Sequence, residues 1–351
     1  MLKRMTLLIV LTGMLGVLVY EYTQEPVEEA PQIAKLGDHK ELEREKIEVE
    51  EVDSLARFEA TLDILGQSTD AIVSAYGEPV RKEPSAFGYE SWVYNGEGAD
   101  YMVIGIEEGE VVTAFLSGEP VAAILGEESR SFADLSSEYS FEPEVEASTD
   151  HGWVTFKLND SDVSMRPITA VGDHWMQVYM DVHTDQVSSV RLMNEEILLR
   201  QRHYSYSPPQ ALPETPEISE EEWKQVEEAN ARQIFDLTNS IRHTFELEPF
   251  GWSDEVADVA YLHSKDMNDQ QYFDHVSPTR GDLGARFQTG EVPYDMAGEN
   301  IAANYVDGLA AVEGWLNSEG HRVNLLHQEF RYLGVGVHRE YYTQNFLKPQ
   351  A

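Results

Sequence analysis

Four short segments in the last third of the chain carry the residue types that could do chemistry. They are Phe273-Asp274-His275-Val276-Ser277-Pro278, Gly298-Glu299-Asn300-Ile301, Trp315-Leu316-Asn317-Ser318-Glu319-Gly320-His321-Arg322 and Tyr342-Thr343-Gln344-Asn345-Phe346. Imidazole and carboxylate are suitable ligands for zinc and similar ions. His275, Glu299 and His321 lie roughly 20 residues apart, so any site they form depends on tertiary structure. Gly298 permits close backbone approach beside Glu299, and Asn300 could fix a loop by hydrogen bonds. Ser318 could cap a helix starting at Glu319. His321 would then sit in the first turn, where the helix dipole keeps imidazole neutral and able to ligate. With a metal at His275 and His321, Glu299 could act as general base toward a bound water. The same residues could equally form a buried His–Glu–His network that satisfies its own polar groups and holds the core together. Both readings stay open on the sequence.

Other residues carry less. Ser318 reads as a cap rather than a nucleophile, and Trp315 and Phe346 as core aromatics. Asp274 either supports His275 or turns the chain. His243, His263, His327 and His338 have no partner pattern and read as surface residues. His151, His174 and His183, in or beside strands, read as surface or satisfied histidines. There is no HExxH, no GxSxG and no cysteine, which weighs against an enzyme. No catalytic residue is assigned.

The elements that must position these residues are legible. Ser219 and Glu222 form a capping-box pair, and Trp223, Val226, Ile234, Leu237 and Ile241 follow one face of the helix after it. A second helix runs from its N-cap Ser253 through Val256, Ala260 and Met267. A third begins near Asp307 with Leu309, Val312 and Trp315. Tyr332–Val337 and Tyr341–Leu347 read as two strands joined near His338–Glu340.

Ahead of this domain, Pro208, Pro209, Pro213 and Pro216 mark residues 205–218 as a stiff linker, so residues 219–351 are expected to fold by themselves. Residues 54–204 read as a duplicated helix-plus-hairpin unit. Ile64-Leu65-Gly66 recurs as Ile124-Leu125-Gly126 about 60 residues on. Helices are expected around Asp70–Tyr76 and Phe132–Tyr139. Strands are expected at Trp92–Tyr94, Tyr101–Ile106, Val111–Leu116, Trp153–Leu158, Trp175–Val182 and Val187–Leu192. Residues 21–53, dense in Glu and Lys, read as an acidic stalk, disordered or weakly helical. Residues 1–20 read as a targeting segment. Lys3 and Arg4 precede an apolar run of about 16 residues, which fits an uncleaved signal anchor or a signal peptide with the bulk of the chain exported.

The 351 residues carry 64 acidic against 25 basic side chains, a formal net charge of −39. That field repels nucleic acid and anionic membrane surfaces, so membrane contact is expected only through the N-terminal segment. The absence of cysteine excludes disulfides, zinc–thiolate sites and a cysteine nucleophile.

The four segments, in this order and spacing, resemble the bacterial branch of the CAP superfamily (cysteine-rich secretory, antigen 5 and pathogenesis-related-1 proteins, also called SCP domains). The resemblance covers about Val226 to Phe346. Asn239 and Arg242 match its first helix, and Gly334-Val335-Gly336-Val337 its terminal strand. It implies an α+β protein with a C-terminal α–β–α sandwich. In the family, two histidines and usually two acidic residues line a central cavity that can hold a divalent metal. Carried across, His275, Glu299 and His321 match three of these. At the fourth position, where many eukaryotic members have Glu, this chain has Ser318, with Glu319 next to it. The pocket implied is His275, Glu299, His321, Ser318 and Glu319, with His275, His321 and Glu299 as candidate ligands of one zinc, magnesium or calcium ion. Eukaryotic members are usually disulfide-braced, so this chain must hold the fold by packing alone. Residues 54–204 resemble the domain that accompanies CAP domains in some Bacillus-type proteins. The resemblance implies an exported binding or signalling module at the cell envelope, for an envelope component, a peptide or a small apolar ligand. The competing readings are a peptidase-like metal hydrolase and a structural envelope or spore-associated protein.

Overall fold

The structure is a computed structural model, and it describes residues 27–28, 32–35, 62–96, 98–126, 131–149, 152–207 and 212–350. The apolar N-terminal run lies outside them, as does most of the acidic stalk. Two pieces of that stalk are neither disordered nor helical. β1 (Val27–Glu28) and β2 (Gln32–Lys35) both pair antiparallel with the strand that carries Glu299, β14 (Met296–Ala303). Without them β14 would end its sheet with a row of unpaired backbone groups, and such an edge recruits extended chain.

The N-terminal domain opens with α1 (Thr69–Tyr76), where Ser68 caps the Ala71 N–H and Gly77 ends the helix at φ 77°. The strands β3 (Arg81–Pro84), β4 (Glu90–Asn95), β5 (Tyr101–Glu107) and β6 (Glu110–Ser117) follow, then α2 (Glu119–Leu125) and α3 (Phe132–Glu138). Next come β7 (Glu144–Thr149), β8 (Gly152–Lys157), α4 (Asp160–Met165) and β9 (Ile168–Val171). β10 (His174–Asp181), β11 (Gln186–Met193), α5 (Glu195–Gln201) and β12 (Ser205–Ser207) complete the domain. The main sheet runs β3-β4-β5-β6-β11-β10-β9. Hairpins β5–β6 and β10–β11 meet at its centre, and each carries a register shift, at Gly105/Ile106 and Tyr179/Met180. The hairpins repeat, but the Ile-Leu-Gly triplets do not correspond. Ile64 closes a single 3-10 turn, whereas Ile124 and Leu125 end α2. The linker starts later than expected, because β12 extends a small sheet with β8 and β7 and buries Tyr206 beside Phe156.

The C-terminal domain consists of α6 (Glu220–Thr244), β13 (Gly251–Trp252), α7 (Asp254–Gln270), α8 (Leu283–Thr289), β14, α9 (Gly308–Asn317), α10 (Glu319–Leu325), β15 (Tyr332–His338) and β16 (Tyr341–Lys348). The capping box at Ser219 and Glu222 starts α6. The sheet order is β1-β14-β16-β15-β13, with β2 also on β14. Residues alternate between its faces. Ala297 and Leu347 pack with Val256, Val259, Leu283 and Phe287 of α7 and α8. Ala302 and Phe346 pack with Ile234, Leu237 and Trp315 of α6 and α9. A side chain at Gly334 or Gly336 would place Cβ 2.2 or 1.8 Å from the Ala257 or Tyr261 backbone nitrogen. Glycine is therefore what lets α7 lie on β15.

The two domains do not part at the linker. Val93, Tyr101, Val103, Phe115 and Tyr179 of the N-terminal sheet share one apolar cluster with Ala231, Ile234, Leu237 and Ile241 of α6. The other face of that sheet, through Trp92, Met102, Ile104, Ala114 and Leu116, packs on α1, α2 and α3. The layers thus run helix, sheet, helix, sheet, helix, with α6 between the two sheets. Ion pairs fasten the junction: Arg322 grips Asp181 at 2.9 and 2.8 Å, Arg191 meets Asp307 at 2.7 Å, and Arg81 meets Asp236 at 2.5 Å. The α6 face that covers this junction is buried against the N-terminal sheet.

Candidate functional site

Glu299 sits in the middle of β14, which is buried along its whole length. The segment is a strand, not the loop expected around Asn300. Its side chain points to the α7–α8 face and is 0% exposed. Three partners use its oxygens. His275 Nδ1 lies 2.8 Å from Oε1, and Arg286 of α8 forms a salt bridge with Oε2. Asn345, directly across the ladder, donates to Oε2 at 3.0 Å and accepts from the Ala260 N–H at 3.3 Å. Arg286 also donates to the carbonyls of His275 (2.6 Å) and Gly281 (3.1 Å), so one guanidinium ties the His275 loop to the sheet. Burial alone would push the Glu299 carboxyl up. The Arg286 charge overrides burial, and the carboxyl is held down at about 2. With Glu299 ionised, His275 Nδ1 is the donor.

His263 completes the cluster and departs from the surface role expected for it. It is 0% exposed on α7, with Nε2 3.9 Å from Glu299 Oε1 and neither ring nitrogen hydrogen-bonded. Burial drives its pKa down to about 4, so the ring is neutral. Val256, Ala260, His263 and Met267 share one buried helical face, and this spacing was the available signal. Asp274 is a turn residue, since its carboxylate accepts the Val276 N–H at 2.6 Å. The loop is pinned instead by Asp266, which accepts from Ser277 Oγ (2.7 Å) and Tyr272 Oη (2.6 Å).

His321 lies elsewhere. Consecutive strand residues face opposite ways, so Asn300 points to the α9–α10 side. There it donates to the His321 carbonyl at 3.2 Å, and its oxygen accepts from Asn324 at 2.9 Å. His321 is buried in the first turn of α10, as expected, with Nδ1 2.7 Å from Ser318 Oγ. Ser318 holds the N-cap position, but its hydroxyl pairs with this ring and its side chain does not cap the backbone. Glu319 is exposed. Among the described residues, no group of three or more His, Asp or Glu side chains is disposed to hold a metal ion. The donor set around Glu299 does not fit one either, because the Arg286 guanidinium stands against the carboxylate where a cation would have to sit. The sequence pocket therefore separates into His275 with Glu299 on one face of the sheet, and Ser318 with His321 on the helix covering the other. Arg286, His263 and Asn345 are the partners that sequence reasoning left out.

This geometry can be set beside known proteins. Residues 235–347 match the model of the cysteine-rich secretory protein family, and residues 65–204 match that of the CAP-associated N-terminal domain. A relative from Bacillus subtilis, named uncharacterized membrane protein YlbC, is 40% identical over 287 residues, spanning 82% of this chain and 83% of its own. The chain belongs to the cysteine-rich secretory protein family. A second B. subtilis relative, uncharacterized protein YkwD, is 36% identical over 121 residues, 34% of this chain and 47% of its own. The crystal structure of an extracellular SCP-domain protein from Bacillus anthracis is 40% identical, with a TM-score of 0.76, and covers 88% of this chain and 100% of its own. A cysteine-rich secretory protein from Staphylococcus aureus, 23% identical with a TM-score of 0.71, shares the fold over 81% of this chain and 91% of its own. The B. anthracis and S. aureus structures thus share the fold across both domains of this chain, which has no cysteine.

Proposed function

We propose that the protein is a non-catalytic binding module of the cell envelope, held outside the membrane by its N-terminal apolar segment. The observation that carries this reading is the state of Glu299. A general base needs an available lone pair and a pKa near the working pH. Glu299 is enclosed, committed to Arg286, His275 and Asn345, and held at about 2. That favours a scaffold over a hydrolase. Among the described residues no helix is long and apolar enough to cross a membrane, so the anchor reading rests on Lys3, Arg4 and the apolar run after them. It is supported by the words membrane protein in one relative's name and extracellular in another's. The class of ligand remains an envelope component, a peptide or a small apolar molecule.

Purified full-length protein incubated with isolated cell-wall fragments tests the reading. Saturable co-sedimentation with no release of soluble peptide or sugar is expected. Release of such products would favour the hydrolase. Absence of both binding and release would contradict an envelope module.

A further inference from the structure

A cavity of about 300 Å³ lies where the two domains meet, far in sequence from the loop that carries His275. The N-terminal domain lines it with Tyr179 of β10, His203 and Tyr204 after α5, and Arg166 at the end of α4. The C-terminal domain adds Tyr305, ahead of α9, and Glu313 on α9. Ligand pockets begin near this size, and a water takes only about 30 Å³ of liquid volume. The space therefore suits a small organic molecule.

Three lining side chains are almost fully buried and hold a polar atom with no hydrogen-bond partner. Tyr179 is 2% exposed and its hydroxyl is unpaired. Glu313 is 2% exposed and Oε2 is unpaired. His203 is 5% exposed and Nδ1 is unpaired. A hydrogen-bonding occupant would relieve about 1–3 kcal/mol at each of these groups that it reaches.

Charge narrows the class. Arg166 is the lining arginine, and it is already bonded to Asp162 at 2.7 and 2.6 Å. No uncommitted cation there invites an anion. Burial keeps His203 neutral, its pKa lying well below the usual imidazole value. Burial also pushes the Glu313 carboxyl up to about 7, against the Ser189 and Ser188 hydroxyls that donate to Oε1. What remains is a hydroxyl, a carboxyl and an imidazole beside the rings of Tyr204 and Tyr305, a set suited to hydroxyl groups on a compact carbon frame.

We propose that this cavity binds a small, neutral, hydroxyl-rich molecule of the sugar or polyol class, with Glu313, Tyr179 and His203 as its hydrogen-bonding set. Saturation-transfer NMR on the full-length chain tests it, with glucose, N-acetylglucosamine and glycerol as neutral probes and ethylammonium and inorganic phosphate as charged ones. Transfer to at least one neutral probe and to neither charged probe is expected. Ser161→Trp, at an exposed position lining the cavity, should abolish the transfer. Tyr179→Phe should weaken affinity about tenfold, the loss of one good hydrogen bond, with the melting temperature unchanged or raised. The assignment is overturned by no transfer to any neutral probe, or by transfer insensitive to both Ser161→Trp and Tyr179→Phe. Ethylammonium binding lost in Glu313→Gln would overturn it in favour of a cation site.

Discussion

Two buried glutamates lie in this chain with opposite surroundings. Glu299, inside the C-terminal sandwich, meets an arginine, a histidine and an amide, and its carboxyl is held down at about 2. Glu313, where the domains meet, has two serine hydroxyls on one oxygen and nothing on the other, and burial lifts it to about 7. Both are nearly free of solvent, so burial does not decide the difference; the partners do. A carboxylate whose charge is cancelled from within is part of the frame. A carboxyl left half-satisfied beside a cavity is available to something else.

The largest effect should come from breaking the cancelled pair. Arg286→Ala leaves the Glu299 charge buried and uncompensated, and should cost about 3–5 kcal/mol. Urea unfolding of the full-length chain at pH 7 measures it; a loss below about 1 kcal/mol would mean the pair does not hold the frame. Glu299 itself has a folded pKa below its ordinary value. Its contribution is therefore present above about 4.5 and lost as pH falls toward about 2.

His263 should give the next effect. The unfolded chain takes up its proton near 6.5, whereas the folded ring resists until about 4. Stability should fall as pH drops through that window, by roughly 3 kcal/mol. His263→Phe should remove this fall, seen as the difference between variant and wild-type unfolding curves from pH 7 to pH 4. Parallel curves would place His263 in solvent.

Glu313 should act in the opposite sense. Its folded pKa is raised, so the folded state holds a proton that the unfolded chain releases, and stability falls as pH rises from about 4.5 to about 7. Glu313→Gln should flatten that slope and stabilise the chain at pH 8 by about 1–3 kcal/mol. Destabilisation at pH 8 would show that the ionised carboxylate has a partner in the folded chain. Over the pH range where both titrate, His263 and Glu313 oppose one another, so only the variants reveal either.

Much of this architecture was legible from sequence, and the misses have physical reasons. Caps and periodic faces place α6, α7 and α9, because a Ser or Asp at the start followed by apolar residues at helical spacing is a local signal. His275 and Glu299, which the sequence pattern groups together, lie 2.8 Å apart. Arg286 was not foreseen, since it sits in a seven-residue helix with no periodic pattern to read. His321 was joined to them because spacing along the chain does not show which face of a strand a neighbour covers; Glu299 and Asn300 are adjacent yet look opposite ways. The domain junction did leave a trace. Tyr101 to Ile106 is buried at every position, and a continuous apolar run marks a strand covered on both faces. The second cover is α6, from the other domain.

The most direct test of the central claim is the melting temperature of the full-length chain in chelator, then with zinc, magnesium or calcium added. If Arg286 already neutralises Glu299, none of the ions should move it. A bound metal at 100 times its dissociation constant would add about 2.7 kcal/mol. A gain of that order, absent from His275→Gln, would contradict the account and make this cluster a metal site.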